Sequence, residues 1–255
     1  MTKRGWIGTV SVAVDHSDAT LTRYLAGVTD ARPQSQDIRR LLAGAAVAGE
    51  ADGLVICPED ADWAAGQFST IALTLGLPDV RAGDDVLSMF DAALSNVQLP
   101  VKLGLPFGRS DLWRPVSIVE SIQRHRPNVC LIIEPYFGAD VGLADRSHVL
   151  RELTAFDIVS AFKLDVESPE RNADTYTQST RNVPWLARSD GLDYQVFARR
   201  IKVAVSMGCS GVIAGAAIWR SELRSVVFRH SNESLIRVLI ARIGELRDLC
   251  LARGS

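Results

Sequence analysis

The sequence predicts an α/β fold built on a parallel sheet. Two observations carry that expectation. Short, continuously apolar runs recur along the chain, and the stretches between them show helical periodicity. Strands buried on both faces appear as unbroken apolar runs rather than alternating ones. Strands that alternate with helices imply crossover connections and parallel pairing.

The apolar runs, in order, are 8–16, 53–58, 100–106, 129–135, 158–165, 184–190 and 211–215. Typical is Val129-Cys-Leu-Ile-Ile-Glu-Pro135. Between them, 35–48 sets Ile38, Leu41, Leu42 and Ala45 at helical spacing, and 85–96 does so with Leu87, Phe90 and Leu94. In 194–207 the periodic residues are Phe197, Ile201, Ala204 and Val205, and Gly208 supplies a helix stop. The segment 235–251 is a last amphipathic helix. No Pro/Gly/Ser-rich linker interrupts the chain, so 1–255 is expected to be one domain. Seven or eight βα units in about 250 residues is the size of a single-domain TIM (β/α)8 barrel. A doubly wound open sheet is the competitor. Its glycine-rich GxGxxG fingerprint is absent after the first run, at Val14-Asp-His-Ser-Asp-Ala19.

Composition excludes several classes of partner. A formal net charge of −2 without a clustered basic face argues against nucleic acid. No apolar stretch approaches the ~18 to 20 residues of a membrane span. The start, Met1-Thr-Lys-Arg-Gly-Trp6, lacks the apolar core of a secretory signal, so a cytoplasmic protein is expected. Cys57, Cys130, Cys209 and Cys250 are widely spaced with no CxxC pair. They suit reduced thiols better than zinc or redox chemistry.

Chemistry in a barrel sits where strands end at the carboxyl face. The polar residues at those ends are Asp15-His16, Glu59-Asp60, Glu134 with Tyr136, and Ser189-Asp190-Gly191. The last run ends in Ala214-Gly215-Ala216. No His/Asp/Glu triplet has metal spacing, and neither metal nor cofactor is expected.

Of 28 basic residues only Lys3, Lys102, Lys163 and Lys202 are lysine. Lys102 and Lys163 lie inside apolar runs, where lysine is seldom buried without a partner. A desolvated lysine can lose its proton, which arginine cannot. The neutral amine can then attack a carbonyl to form a Schiff base. Lys163 is the better nucleophile because Asp165 and Glu167 follow in alternation. Lys102 could supply the neighbouring charge that lowers an amine pKa. Periodicity leaves the bland alternative equally open: both lysines could pair with carboxylates inside the barrel. Asp15 and Glu134 are counter-ions or proton carriers, and Tyr136 is a proton shuttle or a rim residue. His16 could cap a loop. His125, His148 and His230 sit in surface-like surroundings.

Three motifs extend the expectation: Phe162-Lys-Leu-Asp-Val-Glu-Ser-Pro169, Val183-Pro-Trp-Leu-Ala-Arg-Ser-Asp-Gly191 and Met207-Gly-Cys-Ser-Gly-Val-Ile-Ala-Gly-Ala-Ala-Ile-Trp219. They resemble the YKVExP, PWVxLSxG and AGASGxLAGRAxW strands of the DeoC/LacD-type class I aldolases. Within that group the chain is most similar to the tagatose-bisphosphate and sulfofructosephosphate aldolases. The resemblance runs from about residue 100 to the C-terminus and holds only in outline before that. It implies a TIM barrel and a metal-independent lyase of carbohydrate metabolism with a Schiff base on Lys163. The substrate would be a small hydroxy-carbonyl compound. The resemblance also implies anion-binding loops at Ser189, Gly191, Ala214 and Gly215, whose backbone amides can approach oxyanions closely. Two residues depart from the pattern: Ala216 replaces the arginine of AGRAxW, and Asp190 adds negative charge beside the loop; Arg188 or Arg220 could compensate, although spacing does not give the direction of their side chains. The competing expectation is a barrel that binds a carbonyl metabolite or a protein partner without turnover. Exposed barrel helices commonly assemble, so a homo-oligomer is also expected.

Overall fold

A computed structural model describes residues 8–25, 35–81, 83–95, 98–166, 169–189, 191–229 and 233–252. Among these residues eight strands occur: β1 (Thr9–Ala13), β2 (Gly53–Ile56), β3 (Ala72–Gly76), β4 (Val101–Phe107), β5 (Leu131–Phe137), β6 (Val159–Asp165), β7 (Trp185–Arg188) and β8 (Gly211–Ala214). They pair in parallel, each with the next in sequence, and β8 pairs with β1 to close the barrel. The expected TIM barrel is therefore the observed fold. Each of the seven apolar runs contains one strand. The eighth, β3, falls outside them.

The helices are α1 (Asp18–Tyr24), α2 (Ser35–Ala48), α3 (Ala61–Gln67), α4 (Val86–Ala93), α5 (Arg114–His125), α6 (Leu143–Leu153), α7 (Pro169–Thr180), α8 (Tyr194–Ser206), α9 (Ala216–Arg229) and α10 (Glu233–Leu251). The expected helix over 85–96 is shorter than its pattern. Asp85 is its cap, with the side chain accepting from the Ser88 N–H at 3.1 Å, and Asn96 lies outside the described residues. Asp193 caps α8 in the same way, through the Gln195 N–H at 2.9 Å. After α8, Gly208 takes φ +108°, a conformation that favours glycine. No described helix is long and apolar enough to cross a membrane.

Two apolar layers result from the period-two alternation of the strands. Outward-facing residues such as Val10, Val12, Leu103, Ile133 and Phe162 join the helices in the main core. Inward-facing Ala13, Val55, Ile132, Ala161, Leu186 and Ile213 form a separate plug inside the barrel. Two residues beyond four of these six positions the same face becomes charged. Ala13 leads to Asp15, Ile132 to Glu134, Ala161 to Lys163 and Leu186 to Arg188. The register sets Lys102 of β4 beside Ile132 of β5, on that inner face. The plug thus forms a dry floor beneath a polar mouth.

Candidate active site

Four strand-borne groups meet above the plug. Lys102 Nζ lies 2.6 Å from Asp15 Oδ2 and 3.1 Å from Glu134 Oε2. Lys163 Nζ lies 3.0 Å from Glu134 Oε1. All four are buried, with Glu134 only 2% exposed. Strand glycines make room for them. A Cβ on Gly76 would collide with the Asp15 carboxylate, and one on Gly104 would collide with the Asp79 carboxylate. Asp15 thereby reaches past β2 to lie against β3.

The two amines are in different electrostatic surroundings. Burial pushes Lys163 below its ordinary value, and the neighbouring Lys102 charge adds to that effect, against the pull of Glu134 and Asp15. Burial acts on Lys102 as well. There the paired Asp15 and Glu134 carboxylates outweigh it and hold the ammonium well above its ordinary value. Burial also penalises the Glu134 and Asp15 charges, yet both carboxyls stay below their usual range because lysines face them. One lysine is thus held cationic while the other is eased toward the free amine.

A second layer of groups lies around this centre. Tyr136 lies beside Asp79, and burial together with the Glu134 charge pushes its phenol well up, so the proton stays on oxygen. Arg188 extends inward from β7: its Nη1 is 3.6 Å from Glu134 Oε1 and its guanidinium carbon lies 4.7 Å from the Tyr136 ring centre. His16 packs edge-on to Trp219, with ring centres 4.9 Å apart, and burial lowers its pKa to about 4, so it is neutral at pH 7. The cavity has a volume of about 640 Å³ and is bordered by Asp15, Lys102, Glu134, Tyr136, Lys163 and Arg188.

The expected residues separate into three groups. Asp15, His16, Lys102, Glu134, Tyr136 and Lys163 converge on this cavity, and Ser189, Gly191, Gly215 and Ala216 border its outer part. There the Gly215 N–H donates to Ser189 Oγ at 3.2 Å, and Gly191 has φ +66°. The Ala214 side chain faces the other way, into the core between strands and helices. Asp190, Glu167, Lys3 and His230 lie outside the described residues. Glu59 and Asp60 turn aside: Arg39, buried under α2, binds Asp18, Glu59 and Asp60 at 3.0 Å each. These acids tie α1 and α2 to the end of β2. Asp165 accepts from the Tyr176 hydroxyl at 3.0 Å. His125 contacts Asp91 on the surface, and His148 packs against Trp113. Among the described residues no cluster of three or more His, Cys, Asp or Glu could hold a metal ion. Asp79 has no place in the sequence reasoning, and Arg188 enters it only as a substitute for the arginine that Ala216 replaces, with no direction for its side chain.

No family model matches the chain. Several solved structures share its fold. One is an archaeal fructose-1,6-bisphosphate aldolase with the catalytic lysine covalently bound to the carbinolamine intermediate of its substrate. It has 15% identity, a TM-score of 0.59 and coverage of 94% of each chain. Another is PhdJ bound to a substrate intermediate, with 15% identity, a TM-score of 0.57, and coverage of 94% of this chain and 77% of the other. A third is the 4-hydroxy-tetrahydrodipicolinate synthase of Methylacidiphilum fumariolicum SolV, with 14% identity, a TM-score of 0.53, and coverage of 95% and 81%. What these chains share with the present one is the barrel.

Proposed function

We propose that this barrel is a lyase of the class I aldolase type, which makes or breaks a C–C bond in a small hydroxy-carbonyl compound through an iminium on Lys163. One observation carries this proposal. Two buried lysines share the two oxygens of Glu134, and their surroundings drive their proton affinities apart. Paired groups with separated affinities are the usual mark of divided acid, base and nucleophile roles. The structural likeness to an aldolase with a lysine-bound intermediate supports the same chemistry.

In this mechanism the Lys163 amine adds to the substrate carbonyl, and loss of water leaves a C=N⁺ bond. Glu134, 3.0 Å from that nitrogen, takes up and returns its protons. In the cleavage direction the base draws the proton from the substrate β-hydroxyl. The adjacent C–C bond breaks, its electron pair enters the iminium, and an enamine remains. Tyr136, backed by Asp79, exchanges the proton at the hydroxyl or at the enamine carbon. Lys102 stays charged throughout, keeps Asp15 ionised and returns Glu134 to its carboxylate form between proton transfers.

Borohydride reduction with a panel of ketones and aldehydes, followed by peptide mass mapping, tests the proposal. A reduced adduct on Lys163 is the expected result. No adduct on folded protein across the panel overturns it. Ala216, standing where the resembled aldolases carry arginine, favours the second reading of binding without turnover. Measured C–C cleavage that vanishes in Lys163→Ala excludes that alternative.

A further inference from the structure

Arg188 has no place in the chemistry above, yet it is the most deeply placed arginine of the cavity. Its side chain is 11% exposed, whereas Arg81, which also borders the cavity, is exposed. The resembled motif PWVxLSxG carries leucine at this position. Here alternation in β7 turns Leu186 inward to the plug, Ala187 outward to the core, and Arg188 inward to the cavity. Its Nη1 and the Lys163 amine approach the same oxygen, Glu134 Oε1, at 3.6 and 3.0 Å. Guanidinium and nucleophile therefore lie no further apart than those two contacts laid end to end. The Tyr136 ring supports the guanidinium from the side.

That closeness limits what the guanidinium can bind. A terminal phosphate of a sugar lies several bonds from the carbonyl carbon that Lys163 attacks. A group held by Arg188 must instead be attached to that carbon or beside it. A carboxylate bonded directly to the carbonyl carbon meets the requirement. Once C–N bond formation joins the carbon to Nζ, one N–H···O hydrogen bond of about 2.9 Å spans the remaining gap. Arginine's planar fork matches a planar carboxylate. The outer loop, in contrast, has lost its expected arginine to Ala216. Positive charge therefore sits beside the reacting carbon, through Arg188, as well as at the outer loop, where the Arg220 guanidinium lies beside Gly191.

We infer that the substrate is a 2-oxo acid or a 4-hydroxy-2-oxo acid, with Arg188 holding the 1-carboxylate next to the carbon that Lys163 attacks. The inference rests on the Schiff-base proposal. The reaction balances without an added oxidant or metal. The amine, the 2-oxo group and one proton give the iminium and water. Cleavage of C3–C4 sends its electron pair toward C2 and releases an aldehyde as the 4-hydroxyl loses its proton. The enamine is then protonated at C3, and water hydrolyses the iminium to free the 2-oxo acid and restore the amine.

The test compares borohydride trapping of pyruvate with that of methyl pyruvate, its uncharged ester, on wild-type protein and on Arg188→Leu and Arg188→Gln. Dihydroxyacetone and dihydroxyacetone phosphate serve as controls. Wild type is expected to trap pyruvate in preference to the ester, although the ester is the more electrophilic ketone. In both variants the pyruvate-to-ester ratio should fall about 10- to 100-fold, the loss expected for one hydrogen bond to a charged group. Three results would overturn the inference: no preference for pyruvate in wild type, an equal fall for acid and ester in the variants, or trapping of the dihydroxyacetone compounds alone. The wild-type comparison decides the matter even if a variant fails to fold. Failure of every compound to label Lys163 would refute the Schiff-base proposal itself, a different outcome from labelling by the uncharged ketones only.

Discussion

Lys102 and Lys163 divide one carboxylate between them: Glu134 gives Oε2 to the first at 3.1 Å and Oε1 to the second at 3.0 Å. The symmetry ends there. Lys102 has a second carboxylate, Asp15, at 2.6 Å, whereas Arg188 stands on the Lys163 side at 3.6 Å from Oε1. Two equally buried amines therefore settle at different proton affinities.

Removing the two lysines should change stability in opposite directions. Lys102→Met leaves Asp15 and Glu134 buried beside fewer cations and should cost about 3–5 kcal/mol. Lys163→Met removes an amine whose charge burial opposes, while Lys102 and Arg188 remain to serve Glu134. It should add about 0.5–2 kcal/mol, as relief of functional strain commonly does. Urea denaturation at pH 7 separates the cases. Equal losses in both variants would contradict the asymmetry.

The pH dependence of trapping follows from the same contrast. The nucleophile is the neutral amine, so adduct formation rises with pH as Lys163 loses its proton. Its affinity is lowered, so the midpoint of the rise should lie below the ordinary lysine value of about 10.4. Lys102 contributes to that lowering, and Lys102→Met should move the limb to higher pH. Initial rates of reductive trapping across pH, with a fixed carbonyl compound, give the limb directly. A limb that ignores Lys102→Met would show that the two amines do not interact.

Tyr136→Phe should separate iminium formation from bond cleavage. The phenol keeps its proton and lies beside Asp79, so it suits proton exchange with substrate rather than carbinolamine formation. Turnover should drop about 10²–10⁴-fold, the usual value of a positioned acid or base. Trapping at Lys163 should persist. A parallel loss of both would assign the phenol to an earlier step.

Gly76→Ala tests the space that β3 leaves open. The added methyl would occupy the place of the Asp15 carboxylate, which must then retreat from Lys102. A displacement near 1 Å at a catalytic centre can cost about 10²-fold, and a loss of that order in the trapping rate is expected. Gly44→Ala, on α2 with open space around it, is the control and should leave the rate at the wild-type level.

The barrel was legible because seven of its strands are apolar runs. β3 escaped although Ile71-Ala-Leu-Thr-Leu-Gly-Leu77 is as apolar as the others, since no charged residue inside it draws attention. Its register with β4 extends over only Leu75↔Val101 and Gly76↔Lys102, and its inner face shows Thr74 and Gly76 rather than a charged group. Without β3, Asp79 had no strand end to belong to. Lys102, Lys163, Glu134 and Asp15 were found because charged residues inside or just beyond apolar runs need partners. Arg188 was visible as a residue but not as a direction. Whether it faces the lumen depends on the register that pairs Lys163 with Leu186 and Asp165 with Arg188, which spacing alone does not give. Glu59 and Asp60 illustrate the reverse: acids at a strand end that a buried arginine claims for the scaffold.

The Lys102–Asp15 contact joins β4 to the end of β1, strands that do not pair with each other. β2 and β3 lie between its partners in the ring. The charged centre therefore needs β1, β4, β5 and β6 assembled together, and no pair of neighbouring strands contains all of it. Chains refolding from urea should recover helical circular dichroism first and the capacity for reductive labelling at Lys163 only afterwards. The Lys163 amine would also report, in time, the assembly of these four strands.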